Sequence, residues 1–238
     1  MKTWCALMAA GLAACLATAP VAAQPYPSKP IRIVVPFSAG SQSDFLARVI
    51  GPKMTERWSQ QVVVDNRPSA GGTVAGGIVA GAAPDGHTLM LTSSAFAVSA
   101  ALYEKLPYDP IRDFSGVTQV ASTALVLVVA PALGVRSAGE FLNLARQKPG
   151  QLAYGSAGIG SGTHFATEKL KLAAGLSVVH VPYKGVPEAM TDTMAGRNQF
   201  VLSPVVPALP LIRGGRLLAL AVSTVQRVPV LPDVPAFS

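Results

Sequence analysis

The sequence predicts an α/β protein built as two lobes, and two observations carry this prediction. Runs rich in Val and Ile alternate with runs in which apolar residues recur at helical spacing, a pattern typical of parallel sheets covered by helices. The tripeptide Ser-Ala-Gly occurs at 38–40 and again at 156–158, each time between a strand-like run and a helix-like run. Because ligands of such sheets lie beyond the carboxyl ends of the strands, we expect two glycine-rich turns that face one cleft.

The first half of the chain opens with a strand-like run at 31–37, IRIVVPF, which leads into the first Ser-Ala-Gly turn. Apolar residues at helical spacing predict a helix over 43–58, in which Pro52 should cause a kink or a restart. The further predicted elements are a strand at 61–66, a helix of small residues at 71–81, a strand at 87–93 and an extended loop at 106–114.

The second half repeats the alternation of strands and helices. A continuous apolar run at 124–131, ALVLVVAP, predicts a buried strand. Residues 137–150 predict a helix with Ser137 as N-cap, Glu140 completing a capping box, and a Pro-Gly stop. The remaining predicted elements are strands at 151–156, 177–183 and 217–223 and helices at 163–173 and 187–196.

The composition indicates a globular protein with a large core. Of 238 residues, 50% are hydrophobic and only 13% are charged. The formal charge is +7, but Lys and Arg are scattered and aromatic residues are sparse. A nucleic-acid groove needs clustered cations and stacking rings, so we expect no nucleic-acid partner. After the first residues, the most apolar run, 120–135, falls short of the ~18 residues that a membrane span needs.

The N-terminus is typical of a secretory signal peptide. Lys2 precedes an apolar stretch, and small residues lead up to Gln24. Cleavage after Ala23 would lower the formal charge from +7 to +6 and would remove Cys5 and Cys15, the two cysteines of the sequence. The alternative is lipoprotein processing, because LAAC, which ends at Cys15, is similar to a lipobox.

The two glycine- and serine-rich turns are candidates for holding a small anion. A helix N-terminus exposes free amides and binds anions without Lys or Arg, and glycines let the backbone approach closely. The alternative is that both are ordinary capped turns, since Ser41 and Asp44 fit a capping box and Ser161 fits an N-cap. Near a helix N-terminus, His164 should stay neutral, either to donate one hydrogen bond into the cleft or as a buried structural histidine.

Catalytic patterns are incomplete. GIGSGT at 158–163 lacks the last glycine of a dinucleotide fingerprint, and YGSAG lacks the first glycine of a nucleophile elbow. The three histidines show no spacing of metal ligands. We therefore expect that the protein is not an enzyme and that it binds no metal or cofactor. Two alternatives stay open: an exported hydrolase that pairs Ser156 or Ser161 with His164, and a ligand-sensing receptor without its own transporter.

Several segments resemble, in order, the Bug family of periplasmic solute receptors of tripartite tricarboxylate transporters. These segments are YPSKPIRIVVPFSAGSQSD, VVVDNRPSAGG, APDGHTL, LPYDPIRDF, KPGQLAYGSAGIGSGTHFATE, VHVPYKG and LPDVP. The resemblance implies a two-lobed periplasmic-binding-protein fold, of the type II-like, Venus flytrap kind. Such a protein closes on a small organic acid or amino acid in the periplasm and delivers it to membrane permease subunits. It is expected to be a monomer.

The resemblance also implies which residues border the ligand. In the family, the loops that match 37–44 and 156–164 pinch the solute, while a strand end and the Tyr-Lys-Gly loop line the pocket. The predicted ligand-binding residues are therefore Phe37, Ser38, Ala39, Gly40, Ser41, Asp44, Ser93, Ser94, Ser156, Ala157, Gly158, Gly160, Ser161, His164, Tyr183, Lys184 and Gly185.

The implied organisation is a signal peptide at 1–23, a first lobe at 24–120, a second lobe at 121–222 and a return toward the first lobe at 223–238. Family members continue beyond LPDVPAFS, so we expect a possible C-terminal truncation, with the missing part completing the first lobe. Two departures from the family are expected to affect the pocket. Ser41 stands where Gly is frequent, and Ser203-Pro204 stands where Asp-Asn is common.

Overall fold

The computed structural model describes residues 25–237, so the predicted signal peptide with its two cysteines lies outside the described residues. Eight strands and seven α-helices are found in the described part. The strands are β1 (Ile31–Val35), β2 (Val62–Asn66), β3 (Thr88–Met90), β4 (Leu125–Val129), β5 (Ala153–Ser156), β6 (Val179–Pro182), β7 (Phe200–Pro204) and β8 (Leu218–Val222). The helices are α1 (Gln42–Trp58), α2 (Thr73–Ala80), α3 (Ala95–Leu102), α4 (Ala138–Gln147), α5 (Gly162–Ala174), α6 (Val186–Met194) and α7 (Val205–Arg213).

The strands form two separate sheets. The first has the order β2-β1-β3 and is parallel throughout. The second has the order β6-β5-β7-β4-β8; β5 is parallel to β6 and β7, whereas β4 is antiparallel to both β7 and β8. The predicted α/β class with parallel-rich sheets is thus confirmed, and β4 is antiparallel to its two neighbours. The predicted lobe boundaries stay predictions.

Strand β4 is apolar along its whole length because both of its faces are buried. Val126 and Val128 belong to one hydrophobic core, which also contains side chains of the first sheet. Leu127 and Val129 point to the other face and join Phe141 of α4 in a second core. Successive side chains of a strand alternate between its faces, so a strand that is covered on both sides needs a continuous apolar run. This confirms the buried strand predicted at 124–131.

Helix α4 follows its sequence signals closely. The Ser137 side chain accepts a hydrogen bond from the Glu140 amide at 3.1 Å, as an N-cap should. The Glu140 carboxylate accepts from the Arg136 amide at 2.8 Å, one residue before the position that a capping box uses. Phe141 and Ala145, four residues apart, are fully buried against the second core.

Three elements depart from the predicted pattern. Helix α1 runs without a break through Pro52, so the predicted restart is wrong. The strand expected at 87–93 ends at Met90, and a helix, α3, begins five residues later. Strand β7 and helix α7 were not predicted, and α7 forms although Pro210 lies inside it.

The segment after β8 folds back along that strand. The Val222 amide donates to the Pro235 carbonyl at 2.8 Å, and the Phe237 amide donates to the Val222 carbonyl at 2.9 Å. Leu231 and Val234 of this segment are buried in the core that contains side chains of both sheets. No helix in residues 25–237 is long and apolar enough to cross a membrane.

Candidate functional site

Two turns of matching geometry lie at the carboxyl ends of parallel strands. The first turn, residues 38–44, joins β1 to α1, and the second turn, residues 158–164, joins β5 to α5. In the first turn the Ser41 amide donates to the Ser38 carbonyl at 3.2 Å, and in the second the Ser161 amide donates to the Gly158 carbonyl at 3.1 Å. The two turns therefore use the same backbone hydrogen bond, whose donor is the residue immediately before each helix.

The glycines and serines of the two turns also occupy equivalent places. Gly40 has φ of 78° and Gly160 has φ of 79°, a left-handed conformation that favours glycine. The next residue is the helix N-cap in each case: Ser41 accepts from the amide three residues on at 3.3 Å, and Ser161 does so at 3.2 Å. The predicted N-caps are thus confirmed in both turns.

The equivalence differs from the one that the repeated tripeptide suggests. Gly40 corresponds to Gly160, two residues beyond the second Ser-Ala-Gly. Ser156, which the tripeptide would pair with Ser38, is the last residue of β5. The shared pattern is Gly-Ser, any residue, Ser or Thr, Asp or His, and Phe, and it can be read in the sequence as GSQSDF and GSGTHF.

The side chain at the third position of each helix turns back to the glycine of its own turn. Asp44 Oδ2 accepts a hydrogen bond from the Gly40 amide at 2.9 Å. His164 Nδ1 accepts one from the Gly160 amide at 3.3 Å. The His164 ring therefore carries its proton on Nε2, because Nδ1 is the acceptor. Asp44 and His164 shape the turns, as the capping alternative predicted for Asp44.

Three amides in each turn are left without a partner by this arrangement. Within residues 25–237, no hydrogen-bond partner is found for the amides of Ala39, Gln42 and Ser43, nor for those of Ile159, Gly162 and Thr163. They occupy the same three places in the two turns. Free amides at a helix N-terminus are the donors that bind carboxylates and phosphates. Of the six, sequence reasoning named only Ala39.

Burial and neighbouring charge set the ionisation of the two acceptors. Burial alone would raise the pKa of Asp44, but hydrogen bonds from Arg48 and Gly40 outweigh it and hold this pKa below its usual value. The Arg48 Nε lies 3.0 Å from Asp44 Oδ1. Burial lowers the pKa of His164, while the charge of Glu168 acts against this shift. Asp44 is therefore charged and His164 neutral at pH 7.

The first turn contacts the loop between β6 and α6 and the first residues of α6 directly. Ser38 Oγ donates to Glu188 Oε2 at 2.9 Å, and the Ser38 amide donates to the Lys184 carbonyl at 3.3 Å. Gly185 has room for no side chain, because a Cβ there would lie 1.9 Å from Ser38 Oγ. The Tyr-Lys-Gly loop thus meets the first turn through its backbone, and the Lys184 side chain is exposed.

The second turn lies against both ends of helix α3. A Cβ built on Gly160 would lie 3.1 Å from Leu102, and one built on Gly162 would lie 3.1 Å from Ser94 Oγ. Ser93, predicted to lie at a strand end, instead accepts a hydrogen bond from the Ala95 amide at 3.3 Å and opens α3. Each turn therefore meets a segment that is distant from it in the sequence.

Two predicted site residues are directed elsewhere. The Tyr183 hydroxyl donates to Asp192 Oδ2 at 2.9 Å and accepts from the Asn198 side-chain nitrogen at 3.2 Å. Phe37 is buried and belongs to the shared core. The Ala157 amide donates to Thr163 Oγ1 at 3.0 Å and so braces the second turn from within.

Ser156 forms a pair with His180, and sequence reasoning missed this contact. Ser156 Oγ lies 2.6 Å from His180 Nε2, and Ser156 is fully buried. The alternative that pairs Ser156 or Ser161 with His164 is not supported by the hydrogen bonds of the described residues: the Ser161 hydroxyl caps the helix, and His164 Nδ1 accepts from the Gly160 amide. Burial and the neighbouring His164 lower the pKa of His180 to about 4.

A compact cluster lies behind the second turn. The His180 ring is 4.8 Å from the Tyr154 ring and 4.2 Å from the His164 ring, measured between centroids. The Tyr154 hydroxyl donates to Glu168, which also accepts from Lys171 at 2.8 Å. In residues 25–237, no three His, Cys, Asp or Glu side chains are grouped so as to hold a metal ion.

Solved structures with the same fold include the periplasmic binding protein BugD, which is 30% identical with a TM-score of 0.84, the match covering 89% of this chain and 71% of that one. The R. palustris protein Rpa4515, solved with adipate, is 33% identical with a TM-score of 0.85, and the match covers 89% of this chain and 71% of that one. MatC (Rpa3494) from Rhodopseudomonas palustris, solved with bound malate, is 30% identical with a TM-score of 0.83, covering 89% and 72%. The fold is that of a periplasmic binding protein.

Sequence relatives narrow this class to one family. Residues 46–238 match the family described as "Tripartite tricarboxylate transporter family receptor". The chain is 39% identical over 232 residues to the UPF0065 protein in the tcbD-tcbE intergenic region of Pseudomonas sp. strain P51, covering 96% of this chain and 69% of that protein. Protein BugT of Bordetella pertussis is 35% identical over 222 residues, covering 92% and 68%. The chain belongs to the tripartite tricarboxylate transporter receptor family, and the predicted Bug resemblance is confirmed.

Proposed function

We propose that the protein captures a small dicarboxylate between its two turns and delivers it to a membrane permease of the tripartite tricarboxylate type. The single observation that carries this proposal is the pair of equivalent turns, each with three amides free of protein partners. Two relatives were solved with adipate and with malate, and each of these ligands has two carboxylates. The two carboxylates of such a ligand match the two sets of free amides, one carboxylate for each turn.

The energetics require both turns to act together. A hydrogen bond to a charged group contributes about 1.5–3 kcal/mol, so three of them contribute roughly 4–9 kcal/mol. Association costs about 4–15 kcal/mol in lost freedom of motion, which leaves one turn short of the −8.2 kcal/mol of micromolar binding. Donors from a second turn, with water excluded between the lobes, supply the difference.

The ligand-binding groups that we propose are mainly backbone amides, and several belong to residues outside the family-based set. Backbone amides contact the ligand, and the side chains of Asp44 and His164 hold the turns in shape. Gly158, Ser161 and Ala157 contribute through the second turn, and Lys184 and Gly185 through their backbone contact with the first. The new members of the site are Gln42, Ser43, Ile159, Gly162 and Thr163.

A binding role without catalysis fits the geometry better than a hydrolase. Ser156 is fully buried, and its hydroxyl also accepts from the Gly158 amide at 3.1 Å, so a substrate carbonyl has no approach to it. A nucleophilic serine needs both an adjacent base and access for the substrate. We therefore expect no turnover of activated esters.

Export and assembly are part of the proposal. We infer a mature periplasmic protein that begins near Gln24 and works as a monomer with lobes at 24–120 and 121–222, the segment from 223 returning toward the first lobe. The intact mass of periplasmic material tests the cleavage site, and light scattering tests the monomer. A diacylated species that begins at Cys15 would instead show a lipoprotein.

Thermal unfolding with candidate acids tests the function. Adipate and malate are compared with adipamide, which keeps the adipate chain but carries no charge. A dicarboxylate at 100 times its Kd should stabilise the protein by about 2.7 kcal/mol, whereas adipamide should not. Stabilisation by the amide and by neither acid would contradict the proposal.

Two alanine variants show whether the turns are responsible. Gly160→Ala places a side chain at φ of 79° in the second turn and should abolish the shift. Gly134→Ala is the matched control: its φ is 78°, and a Cβ there meets nothing within 4 Å. The control carries the same backbone strain away from the turns and should keep the ligand-induced shift.

A further inference from the structure

We propose that His164 is a positioning residue whose neutral form holds the second turn ready for the ligand, and that protonation of His164 releases the bound carboxylate. This inference rests on the proposed function and adds its regulation by acid. It starts from the comparison of the two turns, in which a carboxylate and an imidazole each accept a hydrogen bond from the glycine amide. Asp44 accepts from Gly40 at 2.9 Å, and His164 accepts from Gly160 at 3.3 Å.

The two acceptors respond differently to acid. A carboxylate paired with an arginine, such as Asp44 with Arg48, keeps its acceptor oxygens well below pH 5. A protonated imidazole has no acceptor, because both ring nitrogens then carry hydrogens. The Gly160 amide would face an N–H group, and its hydrogen bond would be lost. Between neutral and mildly acidic pH, only the second turn is therefore sensitive.

Loss of the hydrogen bond from Gly160 to His164 affects the neighbouring free amides through the backbone. Gly160 lies between Ile159 and Gly162, whose amides are free in the described structure, and its left-handed conformation sets their directions. When the bond from Gly160 to His164 is broken, that conformation loses its side-chain support. The carboxylate then loses the aligned amides of the second turn.

The surroundings of His164 contain few charges. On its own helix, Glu168 and Lys171 face it with opposite signs. From β6 the neutral His180 ring stacks at 4.2 Å, and from β5 the Tyr154 ring lies 6.5 Å away. On the α3 side, the groove of about 430 Å³ that His164 borders is lined by the apolar residues Ala97, Val98, Ala101 and Leu102. Burial lowers the pKa of His164, in keeping with a neutral resting state.

Electrostatics alone would predict the opposite response. A protonated His164 adds positive charge near a bound anion, so a simple charge effect would strengthen binding as the pH falls. Loss of the turn geometry would instead weaken binding of the anion as the pH falls. The direction of the change therefore distinguishes a positioning role from a direct charge contact.

The test uses adipate as the probe and compares the wild type with His164→Asn. The asparagine Oδ1 can take the place of Nδ1 as acceptor, and it does not titrate. Calorimetry at pH 7.5 and 5.0 gives the ratio of the two Kd values for each protein, and the variant corrects for protonation of adipate itself. We expect the wild-type ratio to exceed the variant's several-fold, because uptake of one proton changes the Kd by at most about tenfold for each pH unit below the His164 pKa. Equal ratios, or a smaller wild-type ratio, would overturn the proposal.

A measurement without ligand separates this proposal from the ligand assignment. The Gly160 amide resonance is followed by NMR from pH 7.5 to 4.5, together with the His164 ring. The amide should shift along with ring protonation in the wild type and stay unshifted in His164→Asn. If the ring titrates while the Gly160 amide does not respond, the proposal is wrong, even if adipate binds. If adipate fails to bind while the amide follows the ring, the positioning role holds and the ligand class is wrong.

Discussion

Replacing Gly185 by alanine tests how strongly the first turn depends on the opposite lobe. Gly185 has φ of −171°, an extended conformation that any residue adopts, so the substitution introduces no backbone strain. Its effect is steric: the new Cβ would lie 1.9 Å from Ser38 Oγ and 3.1 Å from Ser38 Cβ. The serine hydroxyl must rotate away, and the turn must shift by several tenths of an ångström.

The magnitude follows from the contact that is lost. Ser38 Oγ donates to the Glu188 carboxylate at 2.9 Å, and a hydrogen bond to a charged group contributes about 1.5–3 kcal/mol. This contact joins the two lobes, so its loss should weaken ligand capture. A cost of about 2 kcal/mol corresponds to a roughly 30-fold increase in Kd.

A double-mutant cycle isolates the contact. Ser38→Ala removes the hydroxyl, so Gly185→Ala should cost less than about 1 kcal/mol in that background. Calorimetry with adipate gives the four affinities, and urea unfolding gives the four stabilities. Gly116→Ala serves as control, because a Cβ there meets nothing within 4 Å. Strictly additive effects of the two substitutions would refute the reasoning, since they would show that the two residues do not touch in the binding-competent state.

Three further predictions follow from the same site. Gly40→Ala and Gly160→Ala should each remove most of the adipate affinity, and the double variant should lose little more; calorimetry that shows additive losses would mean that the turns act separately. The pKa of His180 is about 4 in the folded protein against 6.5 in the unfolded chain, so the free energy of unfolding should fall by about 3 kcal/mol from pH 7 to pH 4. His180→Phe should flatten this dependence in urea unfolding, and an unchanged slope would assign it to other groups. Asp44→Ala should destabilise by about 1–2 kcal/mol, and Asp44→Asn by less because the amide oxygen of asparagine can replace Oδ2 as acceptor from Gly40. Equal costs in urea unfolding would contradict the role of the acceptor.

Much of the fold could be predicted because local signals were strong. Helix α4 begins at the N-cap that its sequence predicts, and β4 is the buried strand that its apolar run predicts. The direction of β4 could not be predicted, since an apolar run buried on both faces reads alike in either orientation. Helix α7 is not evident in the sequence, because proline inside a helix removes a backbone hydrogen bond and the segment contains Pro207 and Pro210. Pro207 is the third helical residue, where the amide has no partner within the helix, and buried Val205 and Ala208 hold α7 in place.

The site was predicted in outline but not in register. The repeated Ser-Ala-Gly marked both turns correctly, yet it aligned Gly40 with Gly158 where the structure aligns it with Gly160. The pairing of Ser156 with His180 depends on the register of β5 against β6, which places Tyr154 opposite His180. Strand register is fixed by tertiary packing, and a single sequence carries no direct record of it.

In each turn a side chain accepts a hydrogen bond from the glycine amide, and a charged residue on the same helix shifts the pKa of that acceptor. The two shifts have opposite directions. Four residues beyond each acceptor, on the same helix face, the first helix carries Arg48 and the second carries Glu168. The arginine lowers the pKa of Asp44 and keeps that turn intact across a wide pH range. The glutamate raises the pKa of His164 against the effect of burial and so keeps the imidazole closer to its titration range. Exchanging the second helix's Glu168 for glutamine should therefore move acid release to lower pH, while the first turn, held by its arginine, should not change.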